Sequence, residues 1–458
     1  MKNLEHRLSQ YRRVLEPYPS LFQVAESLYA KQTESNDGRH EVKNRPDGTL
    51  NNAIYVMAPV MYSFIRWVLC NASEAGYKRL YFLARDGYPM YETALIIKEK
   101  FSLPLELRYL HCSRYALRTA WYHLKPEESF KYIFLGGTFV TFEKVMQRAV
   151  IPAEKATQFA IKLGYFRDYD TKALTYDELG VLREKLKADP EFASLVKENS
   201  NNNYPLVTGY LTQEGLFDKI PYALVDSGWV GSMQKVLTDL VNKPLAGYYF
   251  GLYDYPAAMD KSGYHTYYFS PYGSIRRKVY FSNSLFECIF SSAEGMTVGY
   301  TKDKMGKYTP VLEQAENPNK TRINKTSAIL REYVSLLEAG AETLSMKSTF
   351  RLLSLMMGKP TLEEAEKFGS YVFYDDVIGE DKQTVATILS KQDIRDNRLL
   401  NRLIRKCKGK QKIRESAWLQ GSVVLVLTKP AKELRHVHIY RYVLYTWKQI
   451  KTLLGDRF

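Results

Sequence analysis

The feature that most constrains this chain is a recurring order of helix, short apolar run, charged turn and helix. Apolar residues recur at helical spacing from Ala53 to Ala75 (Val56, Val60, Met61, Phe64, Trp67, Val68), which predicts a largely buried helix ended by Gly76. Pro59 falls inside that pattern, so the helix kinks there or begins near it. Arg79–Ala84 (RLYFLA) then reads as a buried strand, followed by the turn Arg85-Asp86-Gly87, a helix over Tyr91–Phe101 and a strand over Leu105–Leu110. That order belongs to a parallel α/β sheet.

The rhythm is then interrupted. Residues from about Lys125 to Asp218 read as amphipathic helices with polar joints. Strand character resumes at Ile220–Val225, which ends in Asp226, and a helix follows through Gln234–Leu240 and a further strand over Leu245–Leu252. The expected architecture is therefore one α/β domain (residues 50–124 and 219–300) split by a helical insertion (125–218), with a helical C-terminal region (301–458). Residues 1–49 form a helical segment and a polar linker over 31–50, marked by the turn pairs Asp37-Gly38 and Asp47-Gly48.

With 458 residues the chain exceeds a single compact core, and its 45% apolar and 25% charged residues exclude wholesale disorder. Lys and Arg number 65 against 50 Asp and Glu, a net charge of +15 that suits an anionic partner. Most of the surplus lies in one place: residues 391–458 hold 17 Lys or Arg against 5 Asp or Glu. This segment is either a solvated helix face or a cationic surface for a phosphorylated or membrane-linked acceptor. Four scattered cysteines (Cys70, Cys112, Cys288, Cys407) argue against a disulfide framework or a structural zinc site and fit a reducing cytoplasm. Met1–Leu15 lacks the apolar core of a secretory signal, and no uninterrupted apolar stretch has spanning length, so a soluble or at most peripheral protein is expected.

Two strand ends carry the chemistry, because ligands of open parallel sheets bind beyond the carboxyl ends of the strands. At the first, Ala84 and Gly87 flank Arg85 and Asp86, so backbone can approach a ligand while Arg85 offers a bidentate fork to phosphate oxygens. Asp86 can bind a metal ion or orient Arg85; a salt bridge capping the next helix is the plainer alternative. At the second, Asp226 precedes Ser227, Gly228, Trp229, Val230, Gly231 and Ser232, a strand-terminal acid followed by a glycine-rich helix start suited to a phosphate. Asp226 or Ser227 could equally serve as an N-cap. Arg114 and Arg118 follow the second strand, where guanidiniums also suit phosphates.

Together the segments FLARDG (Phe82 to Gly87), CSRYALR (Cys112 to Arg118) and VDSGWVGS (Val225 to Ser232) resemble the glycan phosphoribosyltransferase module of bacterial dual-domain ribofuranosyltransferases, often labelled haloacid-dehalogenase-like hydrolases. Asp226 and its glycine-rich loop look like a variant of the donor signature of type I phosphoribosyltransferases, and the resemblance spans roughly residues 50–300. It implies a type I phosphoribosyltransferase sheet and transfer of a 5-phosphoribosyl group from phosphoribosyl diphosphate (PRPP) to a glycan hydroxyl, with Mg²⁺, in O-antigen or capsule polysaccharide biosynthesis. By the same resemblance Arg85, Asp86 and Gly87 hold pyrophosphate and Mg²⁺, Asp226 binds ribose hydroxyls, and Gly228–Ser232 cradle the 5-phosphate. Implied partners are a lipid-linked glycan acceptor and a separate 5-phosphate phosphatase, at the inner membrane face; no nucleic acid is expected.

The sequence departs from the type I signature where Ser227 replaces a second acid and Val230-Gly231 replaces Thr-Gly. Trp229 has no counterpart and either stacks on a sugar or packs. Asp254, Glu287 and Glu294 are candidate general bases. Asp168-Tyr-Asp170 lacks both the preceding strand and the Thr or Val of a haloacid-dehalogenase phosphatase, so hydrolase activity is not expected. No Gly-x-Gly-x-x-Gly, GxSxG or HExxH is present. A nucleotide-sugar glycosyltransferase and a non-catalytic scaffold of polysaccharide assembly are the rival readings.

Overall fold

A computed structural model describes residues 2–34, 48–137, 140–256, 260–374, 382–407 and 413–454. Most of the polar linker (35–47) and Lys408, Lys410 and Lys412 of the basic run lie outside the described residues.

The expected parallel sheet is present. It comprises β1 (Arg79–Leu83), β2 (Glu106–Leu110), β3 (Tyr222–Trp229), β4 (Ala246–Leu252) and β5 (Tyr264–Phe269), in the order β2-β1-β3-β4-β5 with every pair parallel. Alternate side chains enter two cores. Leu80 and Phe82 of β1 and Ala223 and Val225 of β3 face one; Tyr81, Leu83, Tyr222 and Leu224 face the other.

The first core is built on α1 (Ala58–Glu74), α2 (Gly87–Lys100) and residues far along the chain; Phe64 meets Phe250 at 5.3 Å. α1 continues a single helical run from Thr49, with a π-helical turn at Ala53–Met57 immediately before Pro59. The proline that lacks an N–H thus falls where the regular ladder is already interrupted. By length and composition this run could cross a membrane, but 83% of its most apolar window is buried inside the protein. The second core is covered by α3 (Arg114–Trp121), five further helices up to Gln213, and α4 (Ser232–Val241). The insertion therefore sits between β2 and β3 and covers one face of the sheet.

Beyond β5, α5 (Asn283–Ile289) leads to a feature the sequence reading did not anticipate. Residue 301, expected to open a purely helical region, lies inside an antiparallel hairpin of β6 (Thr297–Lys302) and β7 (Tyr308–Leu312). After it come α6 (Lys320–Leu336), a short pair β8 (Val372–Tyr374) and β9 (Lys382–Thr384), α7 (Leu399–Cys407) and α8 (Ala431–Leu454). Ile329, Tyr333, Phe368 and Trp418 join the first core alongside the N-terminal Leu8 and Tyr11.

Candidate functional site

The strand order reverses between β1 and β3. β1 connects outward to β2, and β3 connects outward to β4 on the other side, so the carboxyl ends of β1 and β3 flank the crevice where α/β sheets bind ligands. A cleft of about 240 Å³ opens there, lined by Arg85, Asp86, Arg114, Asp226 and Glu287 among others.

Asp86 directly precedes α2 but does not cap it. Its carboxylate accepts a hydrogen bond from Ser227 Oγ at 2.5 Å, tying the two strand ends together. Among the described residues, Asp226 accepts only from the neighbouring Ser227 N–H, at 2.9 Å. Neither Asp226 nor Ser227 is an N-cap, since α4 begins after Gly231. Glu287 of α5 accepts from Trp229 Nε1 at 2.5 Å.

Three half-buried carboxyls thus share one cleft, and the Asp86 charge disfavours ionisation of the other two. Burial, then the Asp86 charge, then Glu287 push Asp226 up to about 8. Burial and Asp86 push Glu287 up to about 7, opposed by Arg114, the Trp229 hydrogen bond and Arg85. Burial also raises Asp86 above the ordinary carboxylate range, against the Ser227 hydrogen bond and the two arginines.

A divalent cation suits this donor set. Among the described residues no three His, Cys, Asp or Glu are grouped to hold a metal by themselves. Mg²⁺, however, is commonly held by one or two carboxylates with substrate phosphates and water. Crowded carboxyls with raised proton affinity are an environment that a cation relieves.

The second strand end departs from the expected phosphate loop. β3 does not stop at Asp226 but runs through Trp229, pairing Gly228 with Gly251 and Trp229 with Leu252. Gly228 has φ +110°, and a Cβ there would sit 2.4 Å from the Gly251 carbonyl oxygen, so glycine is required by the neighbouring strand. The cradle is correspondingly short: Val230, with Ser232 and Met233 at the start of α4, lines the cleft. Gly231, at φ +68°, packs against Tyr264 and turns the chain into the helix without lining the cleft.

Several expected ligand residues occupy supporting positions. Ser227 Oγ is committed to Asp86. Gly87 lies against β1, where a Cβ would come 2.9 Å from the Phe82 carbonyl carbon. Arg118 follows Arg114 by one helical turn and lies deeper, stacked over Tyr132 at 3.8 Å and reaching Ser232 Oγ at 3.3 Å. Burial and Arg114 lower its pKa to about 10. Trp229 packs among Tyr253, Phe269, Phe281 and Phe286 while its indole edge holds Glu287.

Of the candidate bases, only Glu287 enters the cleft. Asp254 is exposed and accepts from the Tyr255 N–H, and Glu294 is exposed. Asp168 and Asp170 lie in an exposed turn of the insertion.

The opposite wall was not foreseen. Asn317, Asn319 and Ile323 around the start of α6, with Val372 and Phe373 of β8, complete the cleft. Asn319 donates to the Val372 carbonyl (2.6 Å) and accepts from the Val372 N–H (3.0 Å), pinning β8 there. A scan against protein-family models finds no match to the chain, and comparison with curated proteins finds none either.

Proposed function

We propose that this chain transfers a 5-phosphoribosyl group from PRPP to a glycan hydroxyl, releasing pyrophosphate, in the assembly of a bacterial surface polysaccharide. The observation that carries this reading is the convergence, at the switch point of the sheet, of Asp86, Asp226 and Glu287 with Arg85, Arg114 and the start of α4. A donor bearing a pyrophosphate, a ribose and a 5-phosphate asks for those groups: cations and N–H donors for its phosphates, a carboxylate for its hydroxyls.

In this reading Arg85 and Arg114 bind phosphate oxygens, and Asp226 accepts hydrogen bonds from the ribose hydroxyls. Asp86, fixed by Ser227, would hold Mg²⁺ together with the donor's phosphates; bound there, the ion supplies charge neutralisation to the pyrophosphate. Glu287 is the general base, because a group pushed up to about 7 both accepts and releases a proton near neutrality. The glycan oxygen bonds to ribosyl C1 as the C1–O bond to pyrophosphate breaks. The bonding pair leaves with pyrophosphate, and the hydroxyl proton passes to Glu287. Trp229 holds that carboxylate in place through its indole N–H.

Calorimetric titration of PRPP with and without Mg²⁺, beside Asp226→Asn, tests the reading. Mg²⁺-dependent binding that the variant loses supports it. Absence of binding to the wild-type chain, with binding of a nucleoside diphosphate instead, would overturn it in favour of a nucleotide-sugar donor.

A further inference from the structure

Helix α8 has a packed inner side and an apolar outer side, and the described residues cover only the inner one. Its inner side is fully engaged. Val437 and His438 are buried, and His438 Nε2 pairs with the Gly358 carbonyl at 3.0 Å. Arg441 donates to the carbonyls of Lys278 (3.0 Å) and Phe281 (2.6 Å), and Tyr445 stacks on Tyr253 at 5.4 Å.

The outer side carries Ile439, Val443, Trp447, Ile450 and Leu454, all exposed. Their steps of four, four, three and four residues put them on one stripe of an α-helix. Trp447 is 61% exposed and Val443 47%. Beside it, α7 exposes a second set, Leu400, Leu403 and Ile404. The two helices are fastened by the Arg398–Glu433 ion pair and by Arg402 over the Tyr440 ring at 4.2 Å. Exposed apolar side chains in so ordered a row mark an interaction surface.

Charge identifies what covers it. Lys432 and Arg435 are exposed on the first turns of α8, and Lys451 is exposed beside the stripe. The segment 391–458 has 12 more Lys and Arg than Asp and Glu. A second copy of this chain would bring like charge against like charge, so self-association is disfavoured. The stripe is also long, about 22 Å from Ile439 to Leu454 at 1.5 Å per residue, and stands on the exposed side of a helix. An exposed helix face that is apolar and flanked by cations suits the interface of an anionic bilayer, which demands no matching groove.

We infer that the outer face of α8, with the exposed apolar residues of α7, docks this protein onto an anionic lipid bilayer, the apolar stripe entering the headgroup boundary and the surrounding Lys and Arg meeting lipid phosphates. This inference does not rest on the donor assigned above. It has a consequence for the cleft, because the docked helix is joined to it by rings: Tyr445 on Tyr253, Tyr253 on Trp229 at 6.1 Å, and Trp229 to Glu287. Docking would hold the catalytic cleft close to the membrane plane, within reach of an acceptor attached to lipid.

Flotation of the full chain with vesicles of phosphatidylcholine alone, or containing about 30% phosphatidylglycerol, tests it without any donor present. The wild-type chain is expected to float with the anionic vesicles only. The double variant Val443→Glu/Trp447→Glu should lose binding roughly tenfold or more, and Lys432→Glu/Arg435→Glu should lose less and show a weaker salt dependence. Both pairs are exposed, so their melting temperatures should match the wild type. As a measurement independent of those variants, emission from the wild-type chain should shift to the blue on anionic vesicles, and Trp447→Phe should abolish the shift. Failure of the wild-type chain to float overturns the inference, as does undiminished flotation of Val443→Glu/Trp447→Glu. A wild-type dimer in sedimentation velocity that this variant turns into monomers, without flotation, assigns the face to a second copy instead.

Discussion

The two ends of β1 and β3 treat charge in opposite ways. At the amino end Arg79, 7% exposed, donates to Glu106 (2.5 Å), Asp218 (2.7 Å), the Tyr81 hydroxyl (3.0 Å) and the Gly215 carbonyl (3.0 Å). Its cation is surrounded by acceptors, and the fold uses all of them. At the carboxyl end Asp86, Asp226 and Glu287 share a cleft in which burial raises all three and the Asp86 charge raises Asp226 and Glu287 further. Charge matched within the fold holds strands together; the crowded carboxyls at the other end are where the proposed donor and cation would bind.

That contrast can be broken experimentally, and the largest effect belongs to the carboxyl end. If the proposed phosphoribosyl transfer is the reaction, Asp86→Asn and Asp226→Asn should each reduce it by about 10³-fold, or about 4 kcal/mol, in steady-state kinetics. Their melting temperatures should stay level or rise, since each substitution relieves repulsion. Gly228→Ala comes next: with φ +110° and a strand carbonyl 2.4 Å from the new Cβ, it should lower stability by about 3 kcal/mol in urea titration. At the amino end Arg79→Met should cost about 2 kcal/mol of stability in the same titration and leave donor affinity unchanged. A loss of donor affinity there, or of stability in Asp226→Asn, would dissolve the contrast.

Acidity sharpens it further. The folded-state pKa of Asp226 is raised to about 8, above its unfolded value, so the folded form retains a proton that the unfolded chain has released. Its contribution to stability therefore grows as pH falls through about 8 and levels off in the ordinary aspartate range. Scanning calorimetry of the ligand-free protein should give a melting temperature a few degrees higher at about pH 6 than at about pH 9, and Asp226→Asn should flatten that difference. The smallest effect is expected from Trp229→Phe. Loss of the indole hydrogen bond raises Glu287 further, so the rate profile should move to higher pH by less than about one unit.

The buried strands were legible because parallel strands covered on both faces read as unbroken apolar runs, and Asp86 and Asp226 stand where β1 ends and β3 loses that character. The continuation of β3 through Ser227, Gly228 and Trp229 was not, since Asp, Ser and Gly have little strand preference. It is Gly251 on β4 that admits the close approach. Arg118 shares a helix face with Arg114, but one turn carries it from the cleft into the insertion's packing. Asn317 and Phe373 carry no local signal at all: they reach the cleft only because the hairpin and α6 fold back over the strand ends. The basic tail was visible as charge, whereas its apolar stripe emerged only once the inner side of α8 was known.

The helix from Thr49 to Glu74 has a consequence for how the molecule is made. Several of its partners are remote: the Tyr62 hydroxyl donates to the Ala341 carbonyl, the Leu344 N–H donates to Ser63, and Phe64 meets Phe250. A ribosome completes this apolar segment long before it has synthesised these remote partners. Until Leu344 emerges, the nascent chain can cover this segment only with its N-terminal helices and α2, so its final consolidation is expected to come late.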